Sequence, residues 1–112
     1  MSRPWMPLYV GDYLKDTTHL SPAQHGHYLL LILHYWSKGG LPDDEQQLAT
    51  IAHMTPDDWQ RNRSTLQAFF HSGWKHKRLD QELKRHAEVY AKRVAASEKG
   101  VAVRTMNRYR KR

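Results

Sequence analysis

Ser21-Pro-Ala-Gln-His-Gly-His-Tyr-Leu-Leu-Leu-Ile-Leu-His-Tyr-Trp-Ser-Lys-Gly-Gly40 is the stretch whose reading decides the fold. Ser21 suits a helix cap, Pro22 the first helical position, and Gln24 the reciprocal half of a capping box. Gly39 or Gly40 supplies a left-handed stop, with Lys38 in the last turn to complement the dipole. Tyr28 to Leu33 is apolar at every position, so the helix is expected to be covered on several sides. A membrane span needs about 20 apolar residues, and this run is far shorter, with histidines at both ends. It reads as a core helix.

Upstream, Trp5 to Leu20 is rich in aromatics and has no clean period. Leu8 and Val10 around Tyr9 allow a short strand, Gly11-Asp12 reads as a turn, and Trp5, Leu8, Val10, Tyr13 and Leu14 are the expected cover for the central helix. Asp12 and Asp16 read as turn and cap residues more readily than as functional carboxylates.

Downstream, Asp43 or Asp44 caps a short helix with Leu48, Ile51 and Ala52 on one face, ending near His53-Met54. Thr55-Pro56-Asp57-Asp58 opens a second helix, with Asp58 closing a capping box. Its inner face is Trp59, Asn62 or Arg63, Leu66, Phe69 and Phe70; its outer face is Gln60, Arg61, Ser64, Thr65 and Gln67. Ser72-Gly73 suggests a tight β-hairpin over 70–79, with Trp74 inward and Lys75 and Lys77 outward. Asp80 then caps a long helix with Leu83, Ala87, Tyr90, Val94 and Ser97 along one stripe, ending near Gly100.

Two short helices, a hairpin and a preceding long helix are the order of a winged helix-turn-helix, mainly α with one small β-hairpin and a long C-terminal helix. Residues 1–99 are expected to form that domain, including an N-terminal arm and the last helix. Residues 100–112, with five Lys/Arg and no acid from 101 onward, are expected to be a basic flexible tail.

The net charge of +7 is unevenly placed. Residues 1–60 hold three Lys/Arg against seven Asp/Glu, and residues 61–112 hold fifteen against four. That asymmetry points to an anionic polymer or surface as partner, with a merely solubilising tail as the plainer reading. Duplex DNA is the leading partner. Gln60, Arg61, Ser64, Thr65 and Gln67 would read bases from helix 56–69. Lys75, Lys77 and Arg78 would hold phosphates from the wing. Lys84, Arg85, Lys92, Arg93, Arg104, Arg108, Arg110, Lys111 and Arg112 would continue the contact along the last helix and tail. Asp57 and Asp58 oppose phosphate at the start of helix 56–69, which moves contact toward its middle, the wing and the tail.

Other chemistries find little support. The chain has no cysteine, which removes disulfides and thiolate zinc and fits a reducing cytoplasm. No apolar signal-peptide region opens the sequence. None of the eight histidines stands three or four residues from another, the spacing a helical metal pair needs. No phosphate loop, nucleophile elbow or His-Glu-x-x-His occurs, so neither catalysis nor a cofactor is expected. Anchoring on anionic lipid is disfavoured because the last helix carries few large apolar residues. Its stripe either folds onto the domain or pairs with the same helix of a second copy.

Trp5-Met-Pro-Leu-Tyr-Val-Gly-Asp-Tyr-Leu-x-Asp-Thr-x-x-Leu20, Leu20-Ser-Pro-x-x-x-Gly-x-Tyr-x-Leu-Leu, and Trp36 before Gly39-Gly40-Leu-Pro-Asp-Asp together resemble the prophage YdaU-like domain family from about Trp5 to Leu83. That resemblance implies a fold similar to the winged-helix N-terminal domains of phage replication initiators, in a phage or prophage setting. It carries no catalytic residues. The function expected is therefore a non-enzymatic DNA-binding protein of replication initiation or transcriptional control. The rival is an interaction module whose folded surface binds a phage or host protein, with the basic tail a loose nucleic-acid tether.

Overall fold

The computed structural model describes residues 4–110, with side chains described for residues 4–98. Five helices follow in order: α1 Val10–Asp16, α2 Pro22–Lys38, α3 Glu45–Ile51, α4 Pro56–Gln67 and α5 Lys77–Arg110. The chain divides into two units, Met1–Gln81 and Glu82–Arg112.

Helix α2 starts and stops as its sequence dictates. Ser21 Oγ accepts from the Gln24 N–H at 3.1 Å, and Gln24 Oε1 accepts from the Ser21 N–H at 2.9 Å. Gly39 ends the helix at φ 83°, a conformation that costs an L side chain energy. Tyr28, Leu31, Ile32, Tyr35 and Trp36 are buried along it. The expected all-round cover is incomplete, however: Leu29 and Leu33 are exposed.

Helices α2, α3 and α4 pack on one another pairwise. Asp44 caps α3, accepting from the Gln46 N–H at 2.9 Å. Thr55 caps α4, accepting from the Asp58 N–H at 3.2 Å. Between them His53 takes φ 59°, while the Met54 N–H returns to the Ala49 carbonyl at 2.9 Å. Leu31, Leu48, Ala52, Trp59 and Leu66 fill the centre, each almost fully buried. At roughly 2 kcal/mol for each large apolar side chain withdrawn from water, this centre is the main stabilising element.

The N-terminal segment differs from its expectation. In place of a strand and turn, Val10–Asp16 is helix, and none of its residues is buried. Trp5 (68% exposed), Leu8, Val10 (61%) and Leu14 (58%) point to solvent and do not cover α2. Attachment comes instead from polar and ring contacts. The Trp36 indole N–H donates to the Trp5 carbonyl at 2.9 Å, and Tyr13 Oη lies 2.9 Å from His25 Nδ1. The Tyr13 and Tyr28 rings lie nearly parallel, 6.1 Å between centroids. Thr17 and Leu20 are the residues of this stretch that are buried.

The expected wing is also absent, and with it the winged helix-turn-helix; the described residues are helical and contain no strand. His71 and Lys75 form a single antiparallel bridge, their N–H groups donating to each other's carbonyls at 2.9 and 3.2 Å. Gly73 (φ 77°) and Trp74 (φ 57°) are consecutive left-handed residues, so the loop closes within five positions. Turns run up to Phe70 on one side and α5 begins at Lys77 on the other, leaving no length for strands. Trp74 does point inward, with ring centroids 5.4 Å from both Trp59 and Phe70.

Helix α5 starts three residues before the expected Asp80 cap. The His76 ring does the capping: its Nδ1 accepts from the Leu79 N–H at 3.2 Å. Asp80 instead accepts a hydrogen bond from Tyr35 Oη, and burial together with that carboxylate pushes the Tyr35 pKa up to about 12. Gly100 does not stop the helix, which runs to Arg110. Residues 101–110, expected as a flexible tail, are therefore helical in backbone; Lys111 and Arg112 lie outside the described residues.

Candidate nucleic-acid interface

Helix α4 presents the side chains expected on its outer face: Gln60, Arg61, Ser64 and Gln67 are exposed, while Thr65 is half-buried. Its cations are already engaged. Arg61 pairs with Asp58 one turn earlier. Arg63 pairs with Glu45 of α3, whose carboxylate also accepts from the Trp59 indole at 3.1 Å. Those donors, Arg63 first, hold the Glu45 carboxyl below its usual range, and Arg61 with the Thr55 contact does the same for Asp58. Phosphate approaching α4 would have to displace carboxylates that the fold supplies.

Arg78 is engaged too. Its guanidinium lies 2.8 Å from the Asp12 carboxylate and 4.7 Å from the centre of the Tyr9 ring. The Asp12 carboxylate raises the Arg78 pKa, so the cation stays charged but neutralised. Nothing in the local sequence signals this pair, because Asp12 and Arg78 are distant in the chain and each reads as an ordinary surface residue. Beside it opens a cleft of about 590 Å³ lined by Met6, Tyr9, Tyr13, Tyr28 and Phe69, with Asp16, Lys77 and Arg78 as its charged members.

Lys75 and Lys77 of the first unit behave differently from its paired arginines Arg61, Arg63 and Arg78. Lys75 and Lys77 are exposed and form no ion pair with a described residue. His71 beside them is exposed, whereas His76 is half-buried and committed to its hydrogen bonds. In the second unit, Lys84, Lys92 and Arg93 are exposed without an ion pair to a described residue. Arg85 lies 3.7 Å from Glu82. The side chains of Arg104, Arg108, Arg110, Lys111 and Arg112 lie outside the described residues.

Charge divides at the same place as the structure. Residues 1–81 carry eight Lys/Arg and eight Asp/Glu; residues 82–112 carry ten and three. The first unit is neutral and the second holds the whole net charge of +7. Among the described residues no group of three His, Asp or Glu side chains is placed to hold a metal ion. No described helix is long and apolar enough to cross a membrane.

Residues 4–84 match the family described as protein of unknown function DUF1376, and the chain belongs to that family. The chain is 40% identical over 104 residues to the uncharacterized protein YdaU of Escherichia coli K12. That alignment covers 90% of this chain and 36% of YdaU, so the chain spans about a third of the relative's length. No solved structure matches the chain.

Proposed function

We propose that this chain is a non-enzymatic nucleic-acid-binding protein of phage or prophage type, acting in replication initiation or transcriptional control. It engages duplex DNA through the basic segment 82–112, helped by Lys75 and Lys77. The observation that carries the reading is the partition of charge: a neutral folded unit followed by a segment, 82–112, with ten cations against three acids. A segment of that composition meets phosphates at close range and gains from counterion release. The paired arginines of α4 and Arg78 contribute less, because each would exchange one anion for another.

Fluorescence anisotropy with duplex DNA across a salt series tests this. If about five phosphates are neutralised, log K falls with log salt at a slope near −4.5, roughly 500-fold weaker binding between 50 and 200 mM. A variant lacking residues 99–112 is expected to lose about two or more units of that slope. No binding of the full chain at 50 mM salt would end the proposal.

A second reading, a module that binds a phage or host protein, is favoured by the outward apolar side chains Trp5, Val10 and Leu14 on the N-terminal segment. Contiguous exposed apolar surface marks association sites more often than it occurs by chance. The two readings are compatible, one for each unit.

A further inference from the structure

From Ala87 to Ser97 every side chain of α5 is exposed. A helix surrounded by water buries nothing, and its own hydrogen bonds barely repay the ordering of its backbone. Val89, Ala91, Ala95 and Ala96 lie on other faces, but one set of residues keeps a regular spacing. Leu83, Ala87, Tyr90, Val94, Ser97 and then Val101 follow at steps of four, three, four, three and four. That alternation is the narrow seam of a coiled coil, not the wider stripe of a helix lying on a globular core. Tyr90, the largest member, is 50% exposed.

The flanks name the occupant. With Ala87 and Val94 at the a positions and Tyr90 and Ser97 at d, Arg93 falls at g and Glu98 at e. In a parallel, in-register pair of identical helices, each g position faces the e position of the next heptad on the other helix. Arg93 of each copy would then meet Glu98 of the other, twice over. Arg93 has no ion pair with a described residue within its own chain.

Two features oppose such a pair in free solution. Its seam is short and includes Ala87 and Ser97, and each copy brings ten cations against three acids. A polyanion cancels the repulsion and holds two copies close together, so that pairing no longer bears the full cost of association. In the same register the sequence places Arg104 at d and Arg108 at a, where like charges end the seam.

We propose that α5 is a dimerisation element: two copies pair as a parallel coiled coil along Ala87, Tyr90, Val94 and Ser97 when duplex DNA neutralises the basic segment. This rests on the nucleic-acid reading above.

The chain has no cysteine, so single introduced thiols report the pairing. A disulfide needs Cα atoms within about 7 Å, which a parallel in-register seam offers at a and d but not on its outer face. Full-length A87C, V94C and K92C, the last on the outer face, are oxidised mildly with and without a duplex of about 30 base pairs. All three sites are exposed, and circular dichroism checks that the fold is retained. A87C and V94C are expected to cross-link with duplex roughly tenfold faster than K92C, and roughly tenfold faster than without duplex. Equal rates for the three, or cross-linking of V94C without A87C, would overturn the parallel pair. Seam-specific cross-linking that is as fast without duplex would overturn its coupling to DNA. Anisotropy on the same variants separates the two ideas: duplex bound without seam-specific cross-linking refutes the dimer alone, and no duplex bound refutes both.

Discussion

His76 ties three segments together through one residue. Its backbone N–H donates to Tyr35 Oη at 3.1 Å, and its Nδ1 accepts from the Leu79 N–H at 3.2 Å. The ring proton therefore sits on Nε2 and donates to Tyr28 Oη at 2.9 Å. Burial lowers the pKa of this ring, Asp80 opposes the lowering, and Arg78 and His71 add to it. Protonation would put a donor where Nδ1 must accept. The folded state thus binds this proton less readily than the unfolded chain. Its stabilisation is complete above the unfolded value of about 6.5 and is lost as pH falls from there through the lower folded value. Denaturation midpoints measured from pH 7.5 down to 5 are expected to fall, and H76N, which keeps a capping acceptor but cannot titrate, should flatten that fall. An H76N variant with the parent's pH dependence would remove His76 as its source. His53 makes a second residue-scale case. Held at φ 59° and exposed between α3 and α4, it occupies a conformation glycine adopts without strain. H53G should raise stability by about 0.5–1 kcal/mol, after the glycine's extra unfolded-state entropy is subtracted. A lower urea midpoint would show that the position is not strained.

At the scale of elements, what was legible in the sequence is what is local. The Ser21–Gln24 box, Asp44, Thr55 and Gly39 each satisfy backbone groups within four residues, and Pro22 and Pro56 lack an N–H that the first turn would leave unpaired, so the sequence alone locates α2, α3 and α4. S21A tests this directly: it removes the acceptor for the Gln24 N–H and should cost about 1 kcal/mol in chemical denaturation. A loss near zero would mean that packing of α2 alone sets its start. Elements fixed from a distance were misread. Val10–Asp16 is held by Tyr13 against His25 and Tyr28, which no period within seven residues can announce. The start of α5 is set by an imidazole, a side chain outside the usual capping set, oriented by Tyr28 and Tyr35 from α2. The hairpin expectation rested on Ser72-Gly73 alone; closure by His71 and Lys75 with Trp74 driven inward depends on Trp59 and Phe70 already being in place. Gly100 reads as a stop, yet one helical glycine costs only about 1 kcal/mol relative to alanine, which a long helix tolerates.

At the scale of the whole molecule, counts of charge were legible and their partners were not. Sequence asymmetry locates the positive half correctly, but only coordinates reveal that Arg61, Arg63 and Arg78 are each matched to a carboxylate, two of them on another helix. Of the cations expected to touch DNA, Arg61 of α4, Arg78 and Arg85 are paired with carboxylates, whereas Lys84 and Lys92 have no ion pair with a described residue. The consequence can be measured by opposing two variants. D58N releases Arg61 from its pair without removing the Thr55 cap, because that cap uses the Asp58 backbone N–H. K84A/K92A removes two cations from exposed positions of α5. If phosphate contacts reside on α5, the double variant lowers the salt slope by about 1.8 units, the value for two phosphates, and D58N leaves affinity for duplex DNA within about twofold. The reverse pattern, a several-fold gain from D58N with an unchanged slope for K84A/K92A, would move the interface to α4. The double variant alters exposed positions and D58N a half-buried one that holds only a surface ion pair, so thermal denaturation of each should lie close to the parent's, and any change in binding then reports the interface itself.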